Sequence, residues 1–213
     1  MIAILRYQLA LLGHSQRFLP PSLAYLLVLA LLFNERDAPA EPEFAVSAGA
    51  LTVFACWLTI ALVDAEDPVQ RLITLSHARR WPKLLGGTVL TVFGCCLVLT
   101  ALTGLWSVLT HGGGTPGTLT VGALAHLACA GTGIAIGLPC SRLLIRRLGW
   151  TVLAALAALA VVVLVRWVPL VNPMLRSLTE PGSTVVPVLL GLLASFLALA
   201  ASFAAVHTRV RRT

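Results

Sequence analysis

The sequence predicts an all-α integral membrane protein: six transmembrane helices preceded by an interfacial amphipathic helix, with both termini cytoplasmic. Three observations carry this expectation. Apolar residues make up 58% of the chain and charged residues 11%, against roughly 45–50% and 25% in soluble domains. A chain of 213 residues has too little interior to hide that surface from water, so the bilayer is its natural solvent. The apolar residues gather in six runs, most near the ~20 residues that cross a ~30 Å hydrocarbon core, and the basic residues concentrate in alternate connections between those runs.

Residues 1–17 come first and differ from the spans. Ile2, Leu5, Leu9 and Leu12 share one helical face, with Arg6 and Gln8 off it. This pattern predicts a helix lying along the membrane surface. Gly13-His14-Ser15-Gln16-Arg17 then interrupts it; the alternative is a helix that simply continues into span one. The spans follow at 18–33, 44–63, 84–109, 119–138, 150–170 and 185–206. Pro20 and Pro21 fit the first turn of span one, where a missing N–H costs nothing. Turn formers separate the runs: Asp37-Ala-Pro-Ala-Glu-Pro, His111-Gly-Gly-Gly-Thr-Pro-Gly and Glu180-Pro-Gly-Ser. The strictly alternating ten-residue segments of a membrane β-barrel are missing. The whole chain, 1–213, reads as one transmembrane domain.

Orientation follows from counting positive charges. Arg6 and Arg17 precede span one; Arg71, Arg79, Arg80 and Lys83 lie between spans two and three. Arg142, Arg146 and Arg147 lie between spans four and five, and Arg209, Arg211 and Arg212 follow span six. Only Arg36, Arg166 and Arg176 fall on the other side, so the positive-inside rule sets both termini in the cytoplasm. A cleaved leader ending at Ala38-Pro39-Ala40 is disfavoured by the length of the preceding region, by Arg17 and two prolines within it, and by Pro42 just beyond. The net charge of +7 is dispersed in short clusters between apolar runs. That fits orientation signals and anionic lipid headgroups rather than nucleic acid. Five cysteines with no C-x-x-C spacing predict neither a disulfide framework nor a metal site.

The most informative connection is 64–83. Asp67-Pro68 is a helix start, with Asp67 as N-cap and Pro68 at the first helical position. Val69, Leu72, Ile73 and Ser76 then recur at helical spacing, with Gln70, Arg71 and Thr74 off that face. Pro82 disfavours helical geometry in the residue before it, which ends the helix near Arg79–Trp81. Two or three amphipathic turns, 67–80, are thereby held along the membrane between spans two and three. Such a helix either presents an apolar ridge to a protein groove or floats it in lipid with its arginines at the headgroups. Both readings stay open on these grounds alone.

Glu66-Asp-Pro-Val-Gln-Arg-Leu-Ile-Thr-Leu-Ser-His-Ala-Arg-Arg-Trp-Pro-Lys-Leu-Leu-Gly-Gly resembles the cytoplasmic coupling segment of type-2 ABC exporter permeases. That family has an acidic residue leaving span two, a short leucine-rich helix, an arginine near its end, and Leu-Gly-Lys at the mouth of span three. The matching positions are Glu66, Leu72, Ile73, Arg80, Leu85 and Gly86. Departures are Pro68-Val69-Gln70 in place of the family's Gly-Thr-Leu, His77 in place of a helix-ending proline, and Gly87 in place of the lysine. Asn172-Pro173 with Arg176 is similar to the family's outer hairpin region ahead of the last span. The layout agrees along the whole chain and the letters over about twenty residues.

The resemblance implies a permease subunit of an ATP-driven exporter in a bacterial inner membrane, carrying a hydrophobic or amphipathic compound. No G-x-x-x-x-G-K-[ST] occurs in the chain, so ATP and Mg would belong to a separate ATPase subunit, and no catalytic centre or cofactor is expected here. A second permease subunit, identical or different, would complete the pathway. The residues expected to meet the ATPase are Glu66, Asp67, Arg71, Leu72, Ile73, Arg79 and Arg80. The other reading is a small membrane scaffold or immunity-type protein without transport activity.

Four further features need placing. His126 sits mid-span, where an ionisable group is by default a functional suspect; the expectation here is a neutral histidine hydrogen-bonded to a neighbouring helix. No carboxylate lies in any of the six spans to partner it, which argues against an intramembrane enzyme. Arg166 is placed to snorkel to the outer interface. Asp64 and Glu66 are expected to cap span two or to pair with Arg79 or Arg80. Gly133-Ile-Ala-Ile-Gly137 is a G-x-x-x-G pattern that allows close helix approach, and Trp81, Trp106, Trp150 and Trp167 fall at span boundaries as an aromatic belt does.

Overall fold

The computed structural model describes residues 2–34, 40–67, 69–70, 73–75, 81–111, 115–145, 147–165, 168, 170–180 and 184–210. Among these the chain is all-helical, with no strand. The helices are α1 (Ile2–Ser15), α2 (Leu19–Leu32), α3 (Ala40–Ala65), α4 (Trp81–His111), α5 (Pro116–Gly137), α6 (Leu148–Leu164), α7 (Asn172–Thr179) and α8 (Val185–Val210). Helices α3, α4, α5 and α8 are long and apolar enough to cross a membrane, and a fifth candidate is the bent pair α1–α2. Against the six spans expected from the sequence, four to five helices among the described residues are long and apolar enough, and α6 is shorter at 17 residues.

The boundaries have local causes. Thr115 caps α5 by accepting the Thr118 amide at 3.3 Å, with Pro116 at the first helical position, so this helix begins three residues before the expected span. Pro82 lies in the first turn of α4, which begins three residues before the expected span. Helix α6 stops at Leu164, six residues early. Val165 is already extended, and Pro169 cannot donate a helical hydrogen bond. Asn172 Nδ2 turns back to the Val163 carbonyl at 2.5 Å, satisfying an acceptor that the helix end exposes.

Between α1 and α2 the chain turns by 83°. Gln16 makes the corner with φ 51°, the left-handed conformation that ends many helices. Helix α1 therefore does not continue into α2. Its buried face differs from the expected one: Gln8 and Leu12 point inward, while Ile2 and Leu9 are exposed. Gln8 is accommodated because α4 supplies its partners. Its Nε2 donates to Thr88 Oγ1 at 3.0 Å and its Oε1 accepts from Thr91 at 3.1 Å. Gly87 makes the room: a Cβ there would come within 3.3 Å of Gln8 Oε1 and closer still to Ile4.

Helix α3 is the centre, packed by α2, α4, α5, α6 and α7. Its contacts fix the directions. Phe33 meets Phe44 and Tyr25 meets Phe54, so α2 runs antiparallel to α3. Gly122 lies on Phe44, Gly133 on Thr52 and Ala55, and Gly137 on Thr59, so α5 runs parallel to α3. Ser195 of α8 sits against Gly131, and Val206 joins the same core as Ile134 and Leu138, which makes α8 parallel to α5. Helix direction alternates through α2, α3, α4, α5, α6 and α8. Arg17, Asp64 and Arg142 meet at one end of the bundle.

Candidate functional site

Two sets of polar side chains stand out, one at the end of α3 and one buried between α3 and α5. At the α3 end, Asp67 Oδ1 accepts the Val69 amide at 2.9 Å, the N-cap bond expected of Asp67. Thr74 Oγ1 donates to the Gln70 carbonyl at 3.0 Å, as one helical turn allows. Val69 and Ile73, one turn apart, are 66% and 58% exposed. Of the residues expected to meet a partner, Glu66, Asp67 and Ile73 are placed by the structure, and Arg71, Leu72, Arg79 and Arg80 lie outside the described residues.

The acidic residues find partners that spacing along the chain did not suggest. Glu66 Oε1 accepts from the Tyr7 hydroxyl at 3.2 Å and lies 2.8 Å from the Thr74 hydroxyl, whose single proton serves either it or the Gln70 carbonyl, tying the segment both to itself and to α1. Burial, with Glu66 adding to it, holds the Tyr7 phenol above its ordinary value of 10. Asp64 pairs with Arg142: guanidinium Nε lies 3.6 Å from Oδ2, and the Arg142 amide donates to Oδ1 at 3.2 Å. Arg17 donates to the Asp64 carbonyl at 3.1 Å. Asp64 thus joins the end of α3 to the connections before α2 and after α5. Arg142 is the residue that the sequence reading missed here, being 78 positions away from Asp64.

The second set centres on His126, which is 1% exposed. Its Nδ1 lies 2.8 Å from the Gly122 carbonyl, so this nitrogen carries a proton. Its Nε2 meets the Ser47 hydroxyl of α3 at 3.1 Å, the interhelical bond expected of His126. The same hydroxyl can also turn to the Glu43 carbonyl at 2.8 Å. Glu43 corrects one expectation: a carboxylate-bearing residue, 6% exposed, does sit within the helix, because α3 begins at Ala40 rather than at 44. Glu43 and Ser47, like Gly122 and His126, are spaced by four residues, a signal that was readable.

Ser47 and His126 are both buried between α3 and α5, at 0% and 1% exposure. Phe44 packs its ring at 6.1 Å from His126, edge to face. Gly122 is required beneath it, since a Cβ there would come within 2.9 Å of that ring.

The G-x-x-x-G pattern is used inside the chain. A Cβ on Gly133 would lie 2.7 Å from Ala55 Cβ and closer to the Thr52 carbonyl; one on Gly137 would lie 2.8 Å from the Cys56 carbonyl. These are main-chain obstacles that cannot rotate away, so α3 and α5 approach as closely as glycine permits. The five cysteines are free thiols, four of them buried. Arg166 and Trp167 lie outside the described residues. No protein-family model matches the chain, and no curated protein or solved structure matches it at a significant level.

Proposed function

We propose that the chain is the membrane-spanning permease subunit of an ATP-driven ABC exporter. It crosses a bacterial inner membrane six times with both termini inside, and pairs with a second permease and with separate ATPase subunits that carry ATP and Mg. In this reading α2 and α6 also cross. Their lengths of about 21 Å and 26 Å fall short of the ~30 Å core, and local thinning and flanking residues make up the difference. Helix α1 lies along the inner interface, and α7 lies at the outer end before α8.

One observation supports the reading most. At the basic end of the bundle, the Asp67-capped segment carries Val69 and Ile73 exposed on successive turns. Behind that ridge stands α3, with 67% of its most apolar stretch buried in the fold. An ATPase that accepts Val69, Leu72 and Ile73 in a groove, with Arg71, Arg79 and Arg80 meeting acids at its rim, has a rigid element to push. Closure of the ATPase pair on ATP would move the segment, and α3 would carry the displacement into the packing of the whole bundle. The cargo would be hydrophobic or amphipathic, in keeping with a mostly apolar chain.

The test is functional coupling in membranes that hold the full chain and its ATPase. Leu72→Pro, and charge reversal at Arg79 and Arg80, should leave expression intact and abolish the stimulation of ATP hydrolysis that accompanies transport. Normal transport by these variants sinks the coupling assignment, and absence of any associated ATPase favours the scaffold reading.

A further inference from the structure

A groove runs along the outside of α3 where it faces α6, beside the seam with α5. Its volume is about 500 Å³, and it is floored by Val53, Cys56, Trp57 and Ile60 of α3 and walled by Val152 and Leu156 of α6. The lining is apolar except at one end, where Arg17 and Asp64 close it. Along α3 it extends from Val53, the midpoint of a 26-residue helix, to Asp64, one residue from its end. That is about 17 Å, close to half the ~30 Å hydrocarbon thickness. The groove is therefore one leaflet deep.

Charge at the mouth is one-sided. Arg142 neutralises Asp64, whose side chain is only 5% exposed. Arg17 is exposed and spends one N–H on the Asp64 carbonyl, which leaves the rest of the guanidinium fork for another acceptor. Arg147 stands at the N-cap position of α6, just ahead of the groove wall, with no side-chain capping bond. The geometry points to an anionic glycerophospholipid of the leaflet at the basic end, with one acyl chain in the α3–α6 groove and its phosphate on Arg17. A planar guanidinium suits phosphate oxygens, and an anionic leaflet concentrates that ligand where Arg17 stands. Bound there, the lipid bridges α2, α3 and α6. The site does not depend on the transport reading.

Trp57, 51% exposed in the groove floor, supplies the probe. The full chain carrying Trp81→Phe, Trp106→Phe, Trp150→Phe and Trp167→Phe would be placed in phosphatidylcholine vesicles. Increasing fractions of acyl-brominated phosphatidylglycerol or acyl-brominated phosphatidylcholine are then added. Quenching of Trp57 should half-saturate at about fivefold lower fraction of the anionic lipid, the effect of roughly one basic residue at the surface. Arg17→Gln should bring the two curves together. Leu156→Phe, which fills the groove from an exposed wall position, should do the same should Arg17→Gln fail to accumulate. Coincident curves with Arg17 in place overturn the proposal, as does a preference that survives Arg17→Gln or Leu156→Phe. Disulfide-linked dimers formed by Leu156→Cys in vesicles would also overturn it, by giving the groove to a second copy.

Discussion

Helices α3 and α8 are each 26 residues long with mean hydropathy of 2.1 and 2.3 in their most apolar stretches, yet 67% of that stretch is buried in α3 and 17% in α8. Apolar content does not separate them. In lipid there is no hydrophobic gain from bringing two helices together, and close packing and hydrogen bonds decide. Helix α3 meets glycines of α5 along its length and offers Ser47 to His126. Helix α8 buries a narrow stripe through Val188, Gly191, Ser195 and Val206, and keeps Leu190, Leu193 and Leu197 outside. Being apolar selects the membrane; being small selects the centre.

The largest expected effect breaks that contrast directly. Gly137→Leu drives a side chain into the Cys56 carbonyl and Thr59, and should cost about 3 kcal/mol, measured by reversible unfolding in mixed micelles. Ala200→Leu, on the exposed side of α8, should stay within about 0.5 kcal/mol. Equal losses would mean that the α3–α5 seam is not the centre. Next comes the hydroxyl pair: Ser47→Ala removes the His126 partner and should lose about 1 kcal/mol. Ser195→Ala loses only a bond to its own helix at Leu192 and should be close to neutral. A similar loss of about 1 kcal/mol is expected for Gln8→Leu, with faster hydrogen exchange confined to α1.

Smaller effects belong to the bundle end. Arg142→Gln should lose about 0.5 kcal/mol, less at high salt, because the arginine is half exposed although Asp64 is not. Smallest is an alkaline effect. The Tyr7 phenol is raised above 10 in the fold, so its contribution is complete below about pH 10 and is lost as the pH rises through the folded value. Tyr7→Phe should remove that decline from a melting-temperature profile, while leaving the profile at neutral pH nearly unchanged.

Much of the architecture could be read from the sequence because bilayer thickness and turn chemistry are local constraints. The first-turn prolines of α2, the Asp67 cap and the breaks between runs all follow from neighbouring residues. Positions 1–17 were read correctly as a helix separate from α2, but its inward face was not. Gln8 is buried only because Thr88 and Thr91 await it 80 and 83 positions away, and no helical periodicity contains that. The same holds for Arg142 and Asp64. Gly87 is explained by the close approach of α1, where a Cβ would meet Ile4 and Gln8. His126 was legible as a group bonded to a neighbouring helix, whereas Glu43 was placed outside its helix by a boundary four residues too late.

In the proposed reading the ridge after α3 meets an ATPase, whereas the exposed face of α8 meets lipid. Photo-crosslinking tests both at once, with p-benzoylphenylalanine replacing Ile73 in one protein and Leu193 in another, each in its native membrane. From Ile73 the account predicts a protein adduct that binds ATP and is lost in Leu72→Pro; from Leu193 it predicts lipid adducts alone. Lipid adducts alone from Ile73 would contradict it and leave the segment as a membrane anchor.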